Sequence, residues 1–230
     1  MRVVAIVQAR LNSKRLPRKV LAELGGIPSL AWTLRAAKAA QNVDAVWLAI
    51  PVGDVELARL AHDNGMGSTC WCGPELDVLE RYRQAAEASK ADVIVRLTGD
   101  CPFLDPALID ECIEHHCDNT EQWPDGLDVQ VFRTHMLEFG DTEHVVSPKW
   151  VRPQLKCPEG NIRHIKVSLD THQDLLDLRW VASKLPGNRA PTWRETLDAV
   201  YGIESPAGAS KEDYTPSEPN VQQGVEPVAG

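Results

Sequence analysis

Short apolar runs and longer stretches of helical period take turns along the chain. Val3 to Val7 reads VVAIV, an unbroken β-branched and alanine run of the kind buried on both faces of a parallel sheet. After a polar loop, Leu30, Leu34 and Ala37 recur at helical spacing behind Gly25, Gly26 and Pro28, which predicts a helix packing back on the sheet. Val43 to Pro51 reads as a second strand. Asp54 to Gly65 reads as a second helix, with Asp54 as N-cap and Gly65 as C-cap. A short strand near Ser68 to Trp71, the amphipathic segment ELDVLERYRQAAEAS and the strand Ala91 to Asp100 continue the alternation. Repeated strand–helix units imply a mostly parallel sheet with helices on both faces, a three-layer α/β/α fold of Rossmann-like type.

Beyond Asp110 the pattern loosens. DECIEHHC finishes a helix, GLDVQVFRTHMLEF reads as a strand running into a helix, Asn161 to Asp170 alternates like another strand, and DLLDLRWVASKL reads as the closing helix. Past Gly202 the chain is rich in Pro, Gly, Ser and Glu and poor in large apolar groups, so burial cannot offset its ordering entropy. The expectation is one domain over residues 1–204 and a flexible tail over 205–230.

Charge sharpens this picture. The chain of 230 residues has a formal net charge of -9, yet between Met1 and Ala22 it places Arg2, Arg10, Lys14, Arg15, Arg18 and Lys19 with no acid among them. A concentrated cationic loop in an acidic protein points to a small polyanion; coating nucleic acid calls for a broad cationic surface. No apolar stretch approaches the roughly 20 residues a membrane span requires, and MRVVAIVQAR lacks the h-region of a secretory signal, so the expected location is cytoplasmic, with no membrane partner. Cys70, Cys72, Cys101, Cys112, Cys117 and Cys157 include no CxxC pair, which favours buried free thiols over a zinc site.

Three loops carry the candidate chemistry, each following a predicted strand, where open α/β sheets bind ligands. The first offers Arg10, Ser13, Arg15 and Lys19, with Pro17 restraining the backbone: guanidinium forks and an ammonium suited to a triphosphate. The second is Thr98-Gly99-Asp100-Cys101-Pro102, in which Gly99 permits close approach to a ligand and Asp100 can hold a hard cation. The third places Asp170 after Ser168-Leu169, a candidate second ligand for magnesium. The competing readings are a solvated basic turn for the first loop and helix caps for the two aspartates. No GxxxxGK[ST] and no GxGxxG after the first strand is present, which removes P-loop and dinucleotide chemistry and leaves nucleotidyl transfer.

AIVQARLNSKRLPRKVLAELGGIPSLAW resembles the N-terminal signature of the cytidylyltransferases that make CMP-activated sugars, in the branch of spore-coat polysaccharide and acylneuraminate cytidylyltransferase-like proteins. CGPELDVLERY, VRLTGDCPFLDP, PDGLDVQVF, EHV and SLDTHQDL resemble further blocks in the same order, over about residues 1–185. The resemblance implies magnesium-dependent transfer of CMP from CTP to a small acceptor with loss of pyrophosphate, by a homodimer. It implies that Arg10, Ser13, Arg15 and Lys19 bind the triphosphate, with Lys19, Arg15 and Asp100 at the reacting centre. Asp100 and Asp170 would hold the metal, Gly73, Asp77 and Arg81 would lie near the nucleotide, and Asp125, Asp128 and His144 would face the acceptor. Lys14, Arg18, Gln130 and His172-Gln173 depart from the usual Thr, Gly, Glu and Pro-Glu, and EHVVSPKWVRPQL departs from the commoner EHVTPYI. The two added cations suggest an anionic acceptor: a sugar acid, a phosphonate or a phosphorylated metabolite. His144 and Asp128 are the candidate bases. The alternative readings are a nucleotide-sugar glycosyltransferase, which would call for an Asp-x-Asp pair the chain lacks, and an inactive nucleotide-binding module.

Overall fold

The structure is a computed structural model and describes residues 1–63, 68–141, 145–147 and 152–202. In chain order, β1 (Val3–Gln8) leads through a loop and a 3-10 turn (Lys19–Leu21) into a hairpin of β2 (Glu23–Leu24) and β3 (Ile27–Pro28), then α1 (Ser29–Ala39). β4 (Ala45–Pro51), α2 (Val55–Asp63), β5 (Thr69–Gly73), α3 (Val78–Ser89), β6 (Val93–Thr98) and α4 (Pro106–His115) follow. β7 (Gln130–Arg133) runs into a second 3-10 segment (Thr134–Phe139), and α5 (His172–Ala182) and α6 (Trp193–Tyr201) end the described chain.

Among the described residues the main sheet has the order β5, β4, β1, β6, β7, parallel throughout except β7, which pairs antiparallel with β6. β1 sits at its centre, and its side chains divide by parity. Val3, Ala5 and Val7 pack with Leu30, Leu34, Leu57 and Ile109 of α1, α2 and α4; Val4 and Ile6 pack with Leu79, Tyr82 and Ala86 of α3. Fully burying a side chain such as Ile6 or Leu34 contributes about 1.5–3 kcal/mol, so the apolar run that marks β1 in the sequence is also what anchors both layers. The three-layer architecture is as expected. Among the described residues no helix is long and apolar enough to cross a membrane.

A further cluster, built from Trp32, Phe103, Trp123, Ile165, Val167 and Leu169 with α5 and α6, covers the outer side of this unit. It corrects the reading of Asn161 to Asp170. Ile165, Val167 and Leu169 do alternate inward, but they fill this cluster and form no ladder beyond a single parallel bridge between Asp125 and Lys166. The two segments meet at that bridge, where Asp125 N donates to Ile165 O at 2.9 Å and Val167 N to Asp125 O at 2.7 Å, and Gly126, at φ 109°, lies so close that a Cβ would stand 2.4 Å from the Ser168 nitrogen.

Other expectations need correction. DLLDLRWVASKL forms α5 but does not close the fold, because α6 follows, opened by a capping box between Thr192 and Glu195. Gly25 and Gly26 (φ 61° and 78°) make the two-residue turn of the β2–β3 hairpin ahead of α1. All six cysteines are free; Cys101, Cys112, Cys117 and Cys157 are buried as expected, whereas Cys72 is exposed. Gly65 and the tail over 205–230 lie outside the described residues.

Candidate active site

The strand order reverses direction between β1 and β6. The first crossovers build outward through β4 and β5, and the chain then returns to the other side of β1, which opens a crevice beyond the carboxyl ends of these two neighbours. A cavity of about 390 Å³ lies there, lined by Arg10, Ser13, Lys14, Arg15 and Lys19 from the first loop, Gln8, Arg96, Thr98 and Asp100 from the strand ends, and Asp170.

Three backbone devices bring these groups together. The first loop folds back on itself, the Ser13 and Arg18 amides both donating to Leu11 O at 2.9 and 2.8 Å, and buried Leu16 anchors it. Gly99 N donates to Gln8 O at 2.8 Å, and a Cβ at Gly99 would meet Gln8 O at 3.0 Å and Leu30 Cδ1 at 3.0 Å, so this glycine is required for contact with β1 and α1. Leu169 N donates to Asp100 O at 2.8 Å, tying the third loop to the second.

Neither aspartate is spent as a helix cap. Asp105 caps α4 by accepting from Ala107 N at 2.8 Å, and Thr171 caps α5 in a reciprocal box with Asp174. The carboxylates of Asp100 and Asp170 instead converge on one ammonium: Lys19 Nζ lies 2.6 Å from Asp100 Oδ2 and 2.9 Å from Asp170 Oδ1. Arg15 adds a 2.8 Å contact to Asp170 Oδ1, and Lys166 one of 3.4 Å to Oδ2. Burial disfavours the Lys19 charge, but Asp100 and then Asp170 outweigh it and hold the ammonium above the ordinary lysine range. Burial likewise works against the Asp170 carboxylate, and Lys19, followed by Lys166 and Arg15, keeps it below the usual range.

The cationic loop therefore has acidic partners, which its local sequence does not reveal. Arg18, in the left-handed region at φ 60°, turns out of the cavity and forks onto Glu56 of α2 at 2.7 Å, so its charge does not join the site. Leu11 N donates to Asp54 Oδ2 at 3.1 Å, and Asn12 Nδ2 to Glu75 Oε1 at 2.8 Å.

Several sequence candidates lie outside the cavity wall. Asp77 caps α3, accepting from Glu80 N at 2.9 Å. Arg81 is fully buried and donates through Nη1 to Pro74 O and Glu75 O, both at 2.6 Å; Gly73 is the residue small enough to lie against it, since a Cβ there would stand 2.8 Å from Arg81 Cγ. These three hold the turn that reaches the cationic loop through Asn12.

Asp125 and Asp128 are engaged elsewhere. Arg163 Nη1 hydrogen-bonds to Asp128 Oδ1 and Nη2 to Asp128 Oδ2 at 3.3 Å, with a longer contact to Asp125 at 3.4 Å; Ser168 Oγ donates to Asp125 Oδ2 at 3.2 Å and Gly126 N to Asp128 Oδ2 at 3.2 Å. The Gly126 turn brings both carboxylates to this guanidinium, and neither lines the cavity. Burial pushes the Asp128 carboxyl up, and Arg163 opposes that shift without cancelling it. His144 lies outside the described residues.

The residues that sequence reasoning missed are Gln8 and Arg96 on the wall, and Arg163 and Lys166 beside it. Arg96 had a legible signal, a cation within the apolar strand VIVRLT. Its Nη1 donates to Gln130, its guanidinium lies 5.9 Å over the Tyr82 ring, and its buried Nε has no hydrogen-bond partner among the described residues.

Comparison with known proteins adds an independent line. A family model described as cytidylyltransferase matches residues 4–156. The spore coat polysaccharide biosynthesis protein SpsF of Bacillus subtilis is 32% identical over 214 residues, 88% of this chain and 84% of that protein. A 3-deoxy-manno-octulosonate cytidylyltransferase of Anaeromyxobacter sp. (strain K) is 35% identical over 113 residues, 48% of this chain and 46% of its own length. In fold, the chain is similar to the solved structure of a cytidylyltransferase from Leptospira borgpetersenii, with a TM-score of 0.77 at 22% identity over 88% of this chain and 94% of that one.

Proposed function

The chain belongs to the cytidylyltransferase family, and from that premise we propose that its β1–β6 cavity binds CTP with a divalent ion and transfers CMP to an oxygen of a small anionic acceptor, releasing pyrophosphate. The observation that carries this reading is the convergence of Asp100 and Asp170 on Lys19 beneath a rim of Arg10, Lys14 and Arg15. Arg10, Ser13, Lys14 and Arg15 are suited to the phosphate oxygens, and Lys19 to the charge that builds on departing pyrophosphate.

Magnesium fits the residues present: Asp100 and Asp170 are hard oxygen donors already turned toward one cation, and magnesium favours one or two carboxylates completed by water and phosphate oxygens. Bound between them, it would supply neutralisation of charge at the reacting phosphorus. The protein's own part is to hold acceptor and α-phosphorus in line, which accounts for much of the rate in phosphoryl chemistry.

An anionic acceptor, whether sugar acid, phosphonate or phosphorylated metabolite, is supported by Arg96, a cation on the cavity wall held by the Gln130 amide, although the buried Asp118 carboxylate behind Gln130 shares its field. One relative is named for an octulosonate, a sugar acid. An ionised acceptor oxygen needs no base, and Asp128, bound to Arg163, is withdrawn as a candidate base. A nucleotide-sugar glycosyltransferase is not favoured, since the family is one of cytidylyltransferases and no second aspartate accompanies Asp100 in an Asp-x-Asp pair. The expected form is a cytoplasmic homodimer, its dimeric state checked by light scattering.

Pyrophosphate release with each of the four nucleoside triphosphates, against a panel of sugar acids, phosphonates and phosphorylated polyols, tests the reading. The expected result is release with CTP and magnesium in the presence of an anionic acceptor. A preference for another nucleotide, or no release with any member of the panel, overturns it.

A further inference from the structure

We infer that Lys19 is the resident counter-ion of the Asp100 and Asp170 pair and competes with divalent metal for it, so that the metal enters together with a triphosphate that draws the ammonium away. This deepens the nucleotide reading above and rests on it. Three observations carry it.

First, Lys19 is the one cation among the described residues that touches both carboxylates, at 2.6 and 2.9 Å. Arg15 and Lys166 reach Asp170 alone. Second, the Lys19 side chain is 11% exposed, whereas that of Arg15 is 66% exposed. Water screens Arg15 and weakens its hold, while Lys19 lies where its bonds to carboxylate are strongest. Third, the Lys19 backbone is fixed at the start of the 3-10 turn, with Lys19 O accepting from Ala22 N at 3.0 Å, so the mobile part is the four-carbon stem, which ends in the same cavity as the loop cations.

Without a cation between them, two carboxylates this close would repel and move apart. Lys19 thus keeps them spaced for an ion that has yet to arrive. A divalent cation alone must break two charge-assisted hydrogen bonds and strand a largely buried ammonium, which leaves it bound weakly. A triphosphate seated against Arg10, Lys14 and Arg15 offers that ammonium a new anion, and the exchange then leaves no charge unpaired. By linkage, a nucleotide that strengthens metal binding is strengthened by the metal to the same degree.

The test is Mn²⁺ titrated into the full-length protein without nucleotide, free ion followed by electron paramagnetic resonance, for the wild type, Lys19→Met, Lys19→Gln, Lys19→Arg and Lys19→Met/Asp170→Asn, each checked for folding by circular dichroism. The two neutral variants are expected to bind Mn²⁺ about tenfold or more tighter than the wild type, Lys19→Arg to stay weak, and the double variant to lose the gain. Equal or weaker Mn²⁺ binding in a folded neutral variant overturns the inference. A parallel titration of wild-type protein with CTP separates the two claims: CTP binding without the Mn²⁺ gain refutes this inference alone, and the Mn²⁺ gain without CTP binding refutes the nucleotide reading instead.

Discussion

Two pairs of aspartates, Asp100 with Asp170 and Asp125 with Asp128, are both site candidates in the sequence and end in opposite states. The first pair shares a lysine; the second is gripped by an arginine. An ammonium is a compact charge on a flexible stem and can leave one anion for another, whereas a guanidinium fork binds a carboxylate through two fixed donors and holds it. The lysine pair faces a cavity of about 390 Å³. The arginine pair is stitched to Ser168 and to the Gly126 backbone and works as a staple between the 124–128 turn and the 163–168 segment. Aspartates on loops near strand ends are therefore not equivalent: the partner decides which of them remain available for chemistry.

Replacing one member of each pair separates the two roles. Asp100→Asn should lower pyrophosphate release from CTP by about 10²–10³-fold, with little change in melting temperature because Asp105 does the capping. Loss of fold with activity retained per folded molecule would reverse the assignment. Arg163→Leu should do the opposite, costing about 1–3 kcal/mol in urea unfolding by leaving Asp128 half-buried without its fork, while CTP affinity stays within twofold, about 0.4 kcal/mol.

Acid should tell the pairs apart by sign. The Asp170 carboxyl is held below its unfolded value, so its stabilisation is complete above the ordinary carboxylate range and is lost as pH falls through the lowered value. The Asp128 carboxyl is pushed up, so protonation there favours the folded state as pH falls. Asp170→Asn should flatten the acid loss of stability and Asp128→Asn should steepen it, read as unfolding free energy between about pH 3 and pH 7. The same slope in both variants would remove the distinction.

The smallest effect concerns Arg18, the loop cation turned away from the cavity onto Glu56. Arg18→Gly relieves a left-handed residue, worth about 1–2 kcal/mol, and gives up an exposed pair with Glu56, worth about 0–1 kcal/mol, so stability should hold or rise slightly. CTP affinity should not move; a clear loss on titration would return Arg18 to the site.

Sequence pattern gave the sheet because its strands are buried on both faces and their apolar runs permit few other structures, as in Val3 to Val7. It put Lys19, Asp100 and Asp170 at one edge of the fold because each follows a run or loop that leads there, and their side chains do meet. It misread Asn161 to Asp170, where the alternation is real but its apolar side chains fill the cluster under α5 and α6 and only one bridge, Asp125 to Lys166, pairs the segment, a tertiary fact with no local trace. α6 does leave a trace, the Thr192 and Glu195 box, but a helix of two turns and a half behind a proline offers little periodic signal. The staple of Asp125 and Asp128 was out of reach, since Arg163 lies 35 residues from Asp128 in the chain and nothing in either segment announces the other.

The most direct measurement is a crystal structure with CTP and Mn²⁺, the metal located by its anomalous signal. The expected map places manganese between the carboxylates of Asp100 and Asp170, with the triphosphate along Arg10, Ser13 and Arg15 and the Lys19 ammonium moved onto a phosphate oxygen. Manganese at the Asp125 and Asp128 pair, or a triphosphate seated elsewhere while Lys19 still bridges both carboxylates, would contradict the assignment.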